Sequence, residues 1–568
     1  MNRRAPSLFR RFSQVSPLLV YAWLLALVIA PNLVLLVTSF FKSASGLVVT
    51  EFSLKNYVAV ISSKTVVILI ARTLFTAAIA ATVASLIAYP LAFYVSRYMR
   101  RGKQAAVMLI VIPLWISLLM RVFAWRVILG ENGAINSFLV NTGLLSEPSD
   151  AFLYTRFAVI LTLSYVAIPY VFVSSYTALE RVPQSLIEAS QDAGADTFRT
   201  FLNVVWPLSK QGLAIGFSLA FLLAVGDYVS PSMVGGLNGT MMGMVISSQF
   251  GMAGNWPLGA AQAIVLMLTV AVVLALVGWA GRTKGIIQAV DAGAGARLSK
   301  AVTLGQKIRR LLLRLAVTLP YLFLYAPLLI TLVFSFNDNR VQTFPLSGFT
   351  LTWYEQLASN AALLMALKRT LIVASTCVGL GIVFGVLFAM IIAYRIRRHA
   401  GMLELALAVP VAIPGIVLGI SMALVAQFVG LPQGLGRVIL GHLSFVMPVI
   451  MLIVLSRLRR LDPSFVEASL DLGATRLQTF RHVLLPMIRS AIIGGALLGF
   501  TLSVDEVIVT LFLTGTEPTL PVYVWNQMRF GFTPSINAVF TLIGSVSILL
   551  VLMGVWIIER TQEQSNAA

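Results

Sequence analysis

The chain has 568 residues; 58% are hydrophobic, only 11% are charged, and the formal net charge is +20. This composition excludes a soluble globular protein and marks an integral membrane protein. Most of the Lys and Arg fall in segments assigned to one side of the bilayer, the ordinary topological bias of a multi-span protein, so the basic excess gives no ground for a nucleic-acid partner. A helix needs about 20 apolar residues to cross the hydrocarbon core, and backbone polar groups cannot go unpaired there. Twelve runs meet that need, in chain order 17–41, 66–95, 105–129, 156–176, 212–231, 257–279, 313–336, 366–394, 403–428, 438–456, 487–511 and 535–558.

Arg3, Arg4, Arg10 and Arg11 precede the first run. That run is too long for a cleaved signal segment and no small-residue cleavage site is evident, so it reads as an uncleaved span. A polar stretch, 281–312, separates the sixth and seventh runs. It holds small residues at 291–296 and then Lys300, Lys307, Arg309 and Arg310, the pattern of a flexible cytoplasmic linker beside lipid. It divides a first half, 1–280, from a second half, 313–568. Six spans in each half give both the same orientation, so the expected fold is all-α: about 12 transmembrane helices in two parallel six-helix repeats. Both termini are expected in the cytoplasm.

Internal matches support the duplication. Arg72-Thr73-Leu74 near the start of the second span pairs with Arg369-Thr370-Leu371 in the eighth. Basic clusters end both spans: Arg97, Arg100, Arg101 and Lys103 in one, and Arg395, Arg397 and Arg398 in the other. Thr38-Ser39-Phe40 matches Phe334-Ser335-Phe336, and Asp227 matches Glu506 at an offset of 279.

The most specific pair of segments shares that offset. Glu188-Ala189-Ser190-Gln191-Asp192-Ala193-Gly194-Ala195 is followed by Pro207, and Glu467-Ala468-Ser469-Leu470-Asp471-Leu472-Gly473-Ala474 by Pro486. In both, Pro comes thirteen residues after Gly. Both fall in connections expected on the cytoplasmic side, 179–210 and 457–489. Pro183 and Pro463 lie where a helix would start, and Glu, Ala, Asp and Leu favour one or two helical turns. Gly194 and Gly473 break the helix, allowing a left-handed turn or close approach of a partner. A second short helix is expected over 197–205 and 475–484, with Pro207 and Pro486 at the entry to the next span. Glu188 and Glu467 also suit the positive end of a short helix.

These segments resemble the EAA loops of ABC importer permeases, the inner-membrane component of binding-protein-dependent transport systems. The matching positions are Glu188, Ala189, Gly194 and Pro207, and Glu467, Ala468, Gly473 and Pro486, with Ser where the family often has a second Ala. The resemblance implies a type I importer fold and a coupling helix in each loop, docked on an ATPase subunit. It extends over nearly the whole chain, which is similar to the two spermidine/putrescine permease subunits fused head to tail. Pro31-Asn32, Tyr89-Pro90, Gly235-Gly236 and Asn255-Trp256-Pro257 carry it in the first half. Gly348-Phe349-Thr350, Trp353-Tyr354, Ser456-Arg457-Leu458 and Asp505-Glu506 carry it in the second. A departure is Ala412-Ile413-Pro414-Gly415, where polyamine-importing relatives often read Pro-Asp.

The implied role is the permease subunit of an ATP-driven importer in a bacterial inner membrane, moving a polyamine or related organic amine. Implied partners are two ATPase subunits forming a homodimer, a periplasmic solute-binding protein and lipid. No GxxxxGK[ST] stretch is present, so ATP is expected on separate subunits. No cofactor or catalytic site is expected. No metal is expected either, because His399, His442 and His482 lack ligand spacing. Cys377, the single cysteine, reads as a small core residue. Ionisable groups in spans are pathway candidates: Asp227, Asp505 and Glu506, with Trp125 and Trp353 as ring faces for a cation. Pairing of these acids with Arg72, Arg121, Arg126 or Arg369 is the competing reading, and an interfacial belt is the competing reading for the tryptophans. Other solutes (iron(III), aminophosphonates, opines) remain open at this stage. A secondary transporter is the alternative of a different class, although such proteins place coupling ions near the midplane.

Overall fold

The computed structural model describes residues 17–44, 47–99, 101–251, 253–281, 304–339, 346, 348–394, 400–530 and 534–567. The N-terminal arginines, Arg100, Arg395, Arg397, Arg398 and most of the expected linker, 282–303, lie outside these residues.

Helices occupy all twelve expected places; among the described residues nine are long and apolar enough to cross a membrane, or ten if the bent pair at the third place is one span. Spans 1 and 2 are Pro17–Thr38 and Lys64–Arg97; spans 4, 5 and 6 are Arg156–Glu180, Thr197–Gly226 and Trp256–Gly281. Span 7 lies within Leu304–Phe334. Spans 8, 10 and 11 are Ala361–Tyr394, Leu435–Leu458 and Arg476–Asp505, and span 12 lies within Pro534–Ala567. Spans 3 and 9 are interrupted, where the sequence predicts single straight helices. Span 3 runs Lys103–Trp115 and Leu118–Asn141 with a bend of 92°. Span 9 runs Ala400–Ala412 and then Gly415–Phe428. The cause is local. Pro113 lies in a tight 3-10 turn before the first break, and Pro414 stands at the second, where it restricts Ile413 and supplies no N–H.

The chain forms two compact units, and their membership is not that of the sequence halves. One unit holds 57–249 and 262–351; the other holds 1–56, 250–261 and 352–568. The first helix of each half therefore packs with the later helices of the other half. In the unit built on the first half, span 7 lies against span 3. Tyr321 and Tyr325 hydroxyls donate to the carbonyls of Ala106 (3.1 Å) and Leu109 (2.8 Å), and Phe323 packs on Trp125 at 5.2 Å. In the unit built on the second half, Val20, Trp23, Leu24 and Val28 of span 1 join the core formed by spans 8 to 11. Trp23 meets Phe388 edge-on at 6.2 Å.

Within each unit the spans approach closely through small residues, as expected where lipid supplies no hydrophobic force between helices. A Cβ on Gly216 of span 5 would fall 2.9 Å from Val171 Cα of span 4. At the equivalent crossing, a Cβ on Gly495 would fall 3.3 Å from Ile450 Cα. A surface ion pair also recurs with its signs reversed. Lys103 meets Glu180 at 2.7 Å in one unit, and Glu404 pairs with Arg459 in the other, where Nη1 lies 2.9 Å from Oε2.

Candidate functional site

The two signature segments take one conformation, twice. Helices Gln184–Asp192 and Ser464–Asp471 begin after Pro183 and Pro463 and bury no residue. Each ends in a Schellman turn. Ala195 N–H donates to Ser190 O at 3.0 Å and Gly194 N–H to Gln191 O at 2.9 Å; Ala474 and Gly473 repeat this on Ser469 O (3.1 Å) and Leu470 O (3.0 Å). The motif requires a left-handed residue after the helix, and Gly194 and Gly473 supply it at φ +87° and +86°. Neither glycine has any atom within 4 Å of an added Cβ, so the demand for Gly inside the protein is conformational rather than steric.

The helix after each elbow is locked to the one before it. Ser190 Oγ lies 3.2 Å from Thr200 Oγ1, and Ser469 Oγ lies 3.0 Å from Thr479 Oγ1. Asp196 caps the first of these later helices by accepting from Arg199 N, and Thr475 caps the second in a reciprocal capping box with Gln478. The expected short helices over 197–205 and 475–484 are not separate. Each continues without a break into its span, through a wide turn at Phe201–Val205 or Phe480–Leu484. Trp206 N–H reaches back to Phe201 O, and Leu485 N–H to Phe480 O. These widened turns stand immediately before Pro207 and Pro486, which lack an N–H and crowd the carbonyl four residues back.

Glu467 lies in the first turn of its helix, where the positive end of the backbone dipole favours a carboxylate; Glu188 does not. Helix 184–192 starts one residue earlier in register, so Glu188 sits in the second turn and accepts from Gln184 Nε2 at 3.3 Å. Ala189, Gly194, Glu467, Ala468, Gly473 and Pro486 are exposed, and Glu188 and Pro207 are half-buried. Exposed apolar side chains flank both sites: Phe198 and Leu202 in one, Phe465, Leu472 and Leu477 in the other.

The candidate acids sit where spans 5 and 11 stop. Asp227 is the C-terminal cap of span 5 and is buried; its Oδ1 accepts from Val229 N (2.7 Å) and Ser230 N (3.0 Å), and its Oδ2 from the Ser230 hydroxyl. Glu506 is the equivalent cap of span 11, and its Oε1 accepts from Val509 N at 2.9 Å. Asp505 is the last residue of span 11 itself. Asp227 and Glu506 are thus held by the helix that follows. Arg126 instead bonds Tyr154 Oη at 2.8 Å, and Arg369 lies 3.6 Å from Glu517. Arg121 is buried, and its Nε and Nη1 have no hydrogen-bond partner among the described residues. Trp125, one turn beyond it, is buried against Tyr165 and Phe323, and Trp353 is buried in helix Thr352–Ser359.

Two features escaped sequence reasoning. Thr73 Oγ1 accepts from Met242 N at 2.8 Å, and Thr370 Oγ1 accepts from Leu520 N at 2.7 Å. The repeated Arg-Thr-Leu therefore caps the second helix after the acid-bearing turn in each half, Met242–Phe250 and Leu520–Phe530; the repeat itself was the available signal. The other is His442, buried in span 10 and bonded through both ring nitrogens, which no motif announces.

Comparison with known proteins agrees with this duplicated geometry. The family model described as "Binding-protein-dependent transport system inner membrane component" matches twice, over 88–282 and 381–562. The spermidine/putrescine transport system permease protein PotB of Haemophilus influenzae is 31% identical over 265 residues, covering 46% of this chain and 92% of that protein. The putrescine transport system permease protein PotI of Escherichia coli K12 is 36% identical over 241 residues, covering 41% of this chain and 85% of that protein. Among solved structures, a bacterial ABC transporter importing the acidic polysaccharide alginate aligns at 15% identity and TM-score 0.36, over 46% of this chain and 99% of that one. The inward-facing MetNI methionine ABC transporter aligns at 19% identity and TM-score 0.32, over 38% and 99%. The family model and the sequence relatives do not favour a secondary transporter, and importers of this kind work with ATPase and binding-protein partners. The chain belongs to the inner-membrane component family of binding-protein-dependent transport systems: a multi-pass ABC importer permease that carries two permease domains in one polypeptide.

Proposed function

We propose that this permease moves small organic polycations of the polyamine type, received from a periplasmic binding protein, and that two copies of one ATPase drive it. One copy sits on each of the helices 184–192 and 464–471, which face the cytoplasm together with both chain termini and the linker. Residues 1–280 and 313–568 are the two permease domains. The duplicated, exposed helix with its left-handed glycine elbow carries this reading, because the same docking shape is presented twice. Glu188 and Glu467, with the flanking apolar side chains, are the contacts. An ATPase shifts the transporter between states only through its differential affinity for them, so those contacts must hold while the helices move.

The helices that leave these elbows supply the mechanical link. Thr197–Gly226 and Arg476–Asp505 are each continuous over 30 residues, about 45 Å at the rise of an α-helix. One end of each lever is tied to a coupling helix by the Ser–Thr hydroxyl contact. The other end carries Asp227 or the Asp505-Glu506 pair. Displacement of the coupling helices therefore reaches the acidic turns through single rigid elements. The permease relatives PotB and PotI, named for spermidine and putrescine transport, support a cationic solute, and carboxylates at those turns suit one. Gly415, where polyamine-importing relatives often carry an acid, lies beside the Asp505-Glu506 turn, an added Cβ there meeting Ile508 at an ordinary 3.8 Å.

The test is ATP-dependent uptake by the complete complex in proteoliposomes, across a panel of diamines, amino acids, phosphonates and iron(III). Uptake of putrescine or spermidine is expected, abolished by joint substitution of Glu188→Ala and Glu467→Ala. Uptake confined to anions or iron would reject the solute, and full uptake in the double variant would reject the coupling sites.

A further inference from the structure

The two acid-bearing turns are held differently, and the difference points to a residue. His442 of span 10 is 1% exposed. Its Nδ1 lies 2.8 Å from Ser503 Oγ, in the last turn of span 11, and its Nε2 lies 2.8 Å from Thr510 Oγ1, in helix Ile508–Leu513 beyond the turn. One imidazole thus clips both arms of the turn that bears Asp505 and Glu506.

The tautomer follows from the partners. Thr510 donates its single hydroxyl proton to Glu506 O at 2.8 Å, and a carbonyl can only accept. Toward His442 the same hydroxyl oxygen must therefore accept, so Nε2 carries the ring proton. In the neutral ring Nδ1 is then an acceptor, and Ser503 Oγ donates to it. The chain of donors runs Ser503, His442, Thr510, Glu506 carbonyl, with every proton used once. Packing leaves the turn little room to move away. A Cβ on Gly441 would meet Leu513 Cδ1 at 2.4 Å, and one on Gly419 would meet Val509 Cα at 3.0 Å.

The first half has no such clip. The residues at the shared offset are Leu163, Ala224 and Pro231, none of which bears a side-chain hydrogen-bonding group. There the hydrogen bonds to Asp227 come from Val229 and Ser230, among the described residues, and the buried Arg121 acts on its carboxylate through charge.

We propose that His442, as the Nε2–H imidazole, is a positioning residue that fixes the second half's acidic turn in the geometry that receives a cationic solute. This rests on the pathway reading above, and the experiment separates the two. With the full chain in liposomes, nitrogen-15 histidine spectra report the tautomer, and hydrogen exchange reports the stability of segment 503–513. The Nε2–H form is expected for His442. Exchange in 503–513 is expected to rise by about tenfold or more in His442→Leu and Thr510→Val, each of which removes two hydrogen bonds of this chain. His442→Gln, which keeps an N–H toward Thr510, is expected to restore part of the protection. In the complete importer the same variants should raise KM for putrescine about tenfold and change kcat less than about threefold. An Nδ1–H tautomer, or unchanged exchange in both variants, overturns the clip. Faster exchange with KM unmoved overturns its role in solute handling. Absence of putrescine uptake by the unaltered complex instead overturns the solute reading and leaves the clip to be decided by the spectra and exchange.

Discussion

The glycine elbows separate conformation from contact in a way substitution can read. Gly194 and Gly473 sit at φ +87° and +86° with nothing within 4 Å of an added Cβ. Alanine at either position meets no neighbour in this chain, so its cost is the left-handed backbone alone, about 1–2 kcal/mol. That converts to a shift of about 5- to 30-fold against the closed Schellman turn. Asparagine tolerates the left-handed region far better. If the elbow needs only its backbone conformation, Gly194→Asn and Gly473→Asn should retain most of the ATP-driven uptake in proteoliposomes, while the alanine variants lose about tenfold. The melting temperature of the purified permease should move little in either, because the turn lies outside the buried core. Equal loss with Asn and Ala would show that a partner's surface fills the space above the glycine. Alanine variants that transport normally would refute the conformational argument altogether.

Three other outcomes follow from the structure. Thr370→Val and Thr73→Val each remove a helix cap worth about 0.5–2 kcal/mol, and should speed hydrogen exchange at the start of helices 520–530 and 242–250 respectively, without affecting the other. Asp462 is held below the usual carboxylate range because it accepts from the Ser464 backbone N–H and hydroxyl. Its contribution to the start of helix 464–471 is therefore present above the ordinary carboxylate pKa and lost as pH falls through the lowered one. The difference in exchange between the unaltered protein and Asp462→Asn should be present at pH 7 and vanish in strong acid. Reversing one ion pair, Lys103→Glu with Glu180→Arg, should restore the stability lost in Lys103→Glu alone. Because these side chains are partly exposed, the single change should cost no more than about 1 kcal/mol, read from thermal melts of the two variants.

Much of this architecture was legible because membrane insertion constrains sequence so strongly. Runs of apolar residues located helices at the twelve expected places, nine or ten of them of membrane-spanning length among the described residues, and the offset of 279 between Glu188 and Glu467 located the duplicated hairpins and their glycine elbows. What hydropathy could not register is how apolar helices choose neighbours. Span 1 and span 7 look alike to lipid, and only shape and a few tyrosine hydroxyls, such as Tyr321 on Ala106 O, place span 7 against span 3. Pro113 and Pro414 did signal the breaks in spans 3 and 9, but hydropathy averages across a proline and reads one helix. The acids at 227 and 506 were found by their charge. Their holding groups were not, since a backbone N–H leaves no trace in a residue's identity and His442 reaches its partners across 61 and 68 positions of chain.

The central claim is that one polypeptide presents two equivalent handles to its motor. Native mass spectrometry of the intact complex counts ATPase subunits per permease chain and so tests it directly. Two copies of a single ATPase are predicted, falling to fewer when Glu188 or Glu467 is replaced together with its neighbouring apolar contact, Phe198 or Phe465. A complex that holds one ATPase copy, or one that keeps both after the two handles are altered, would contradict the account.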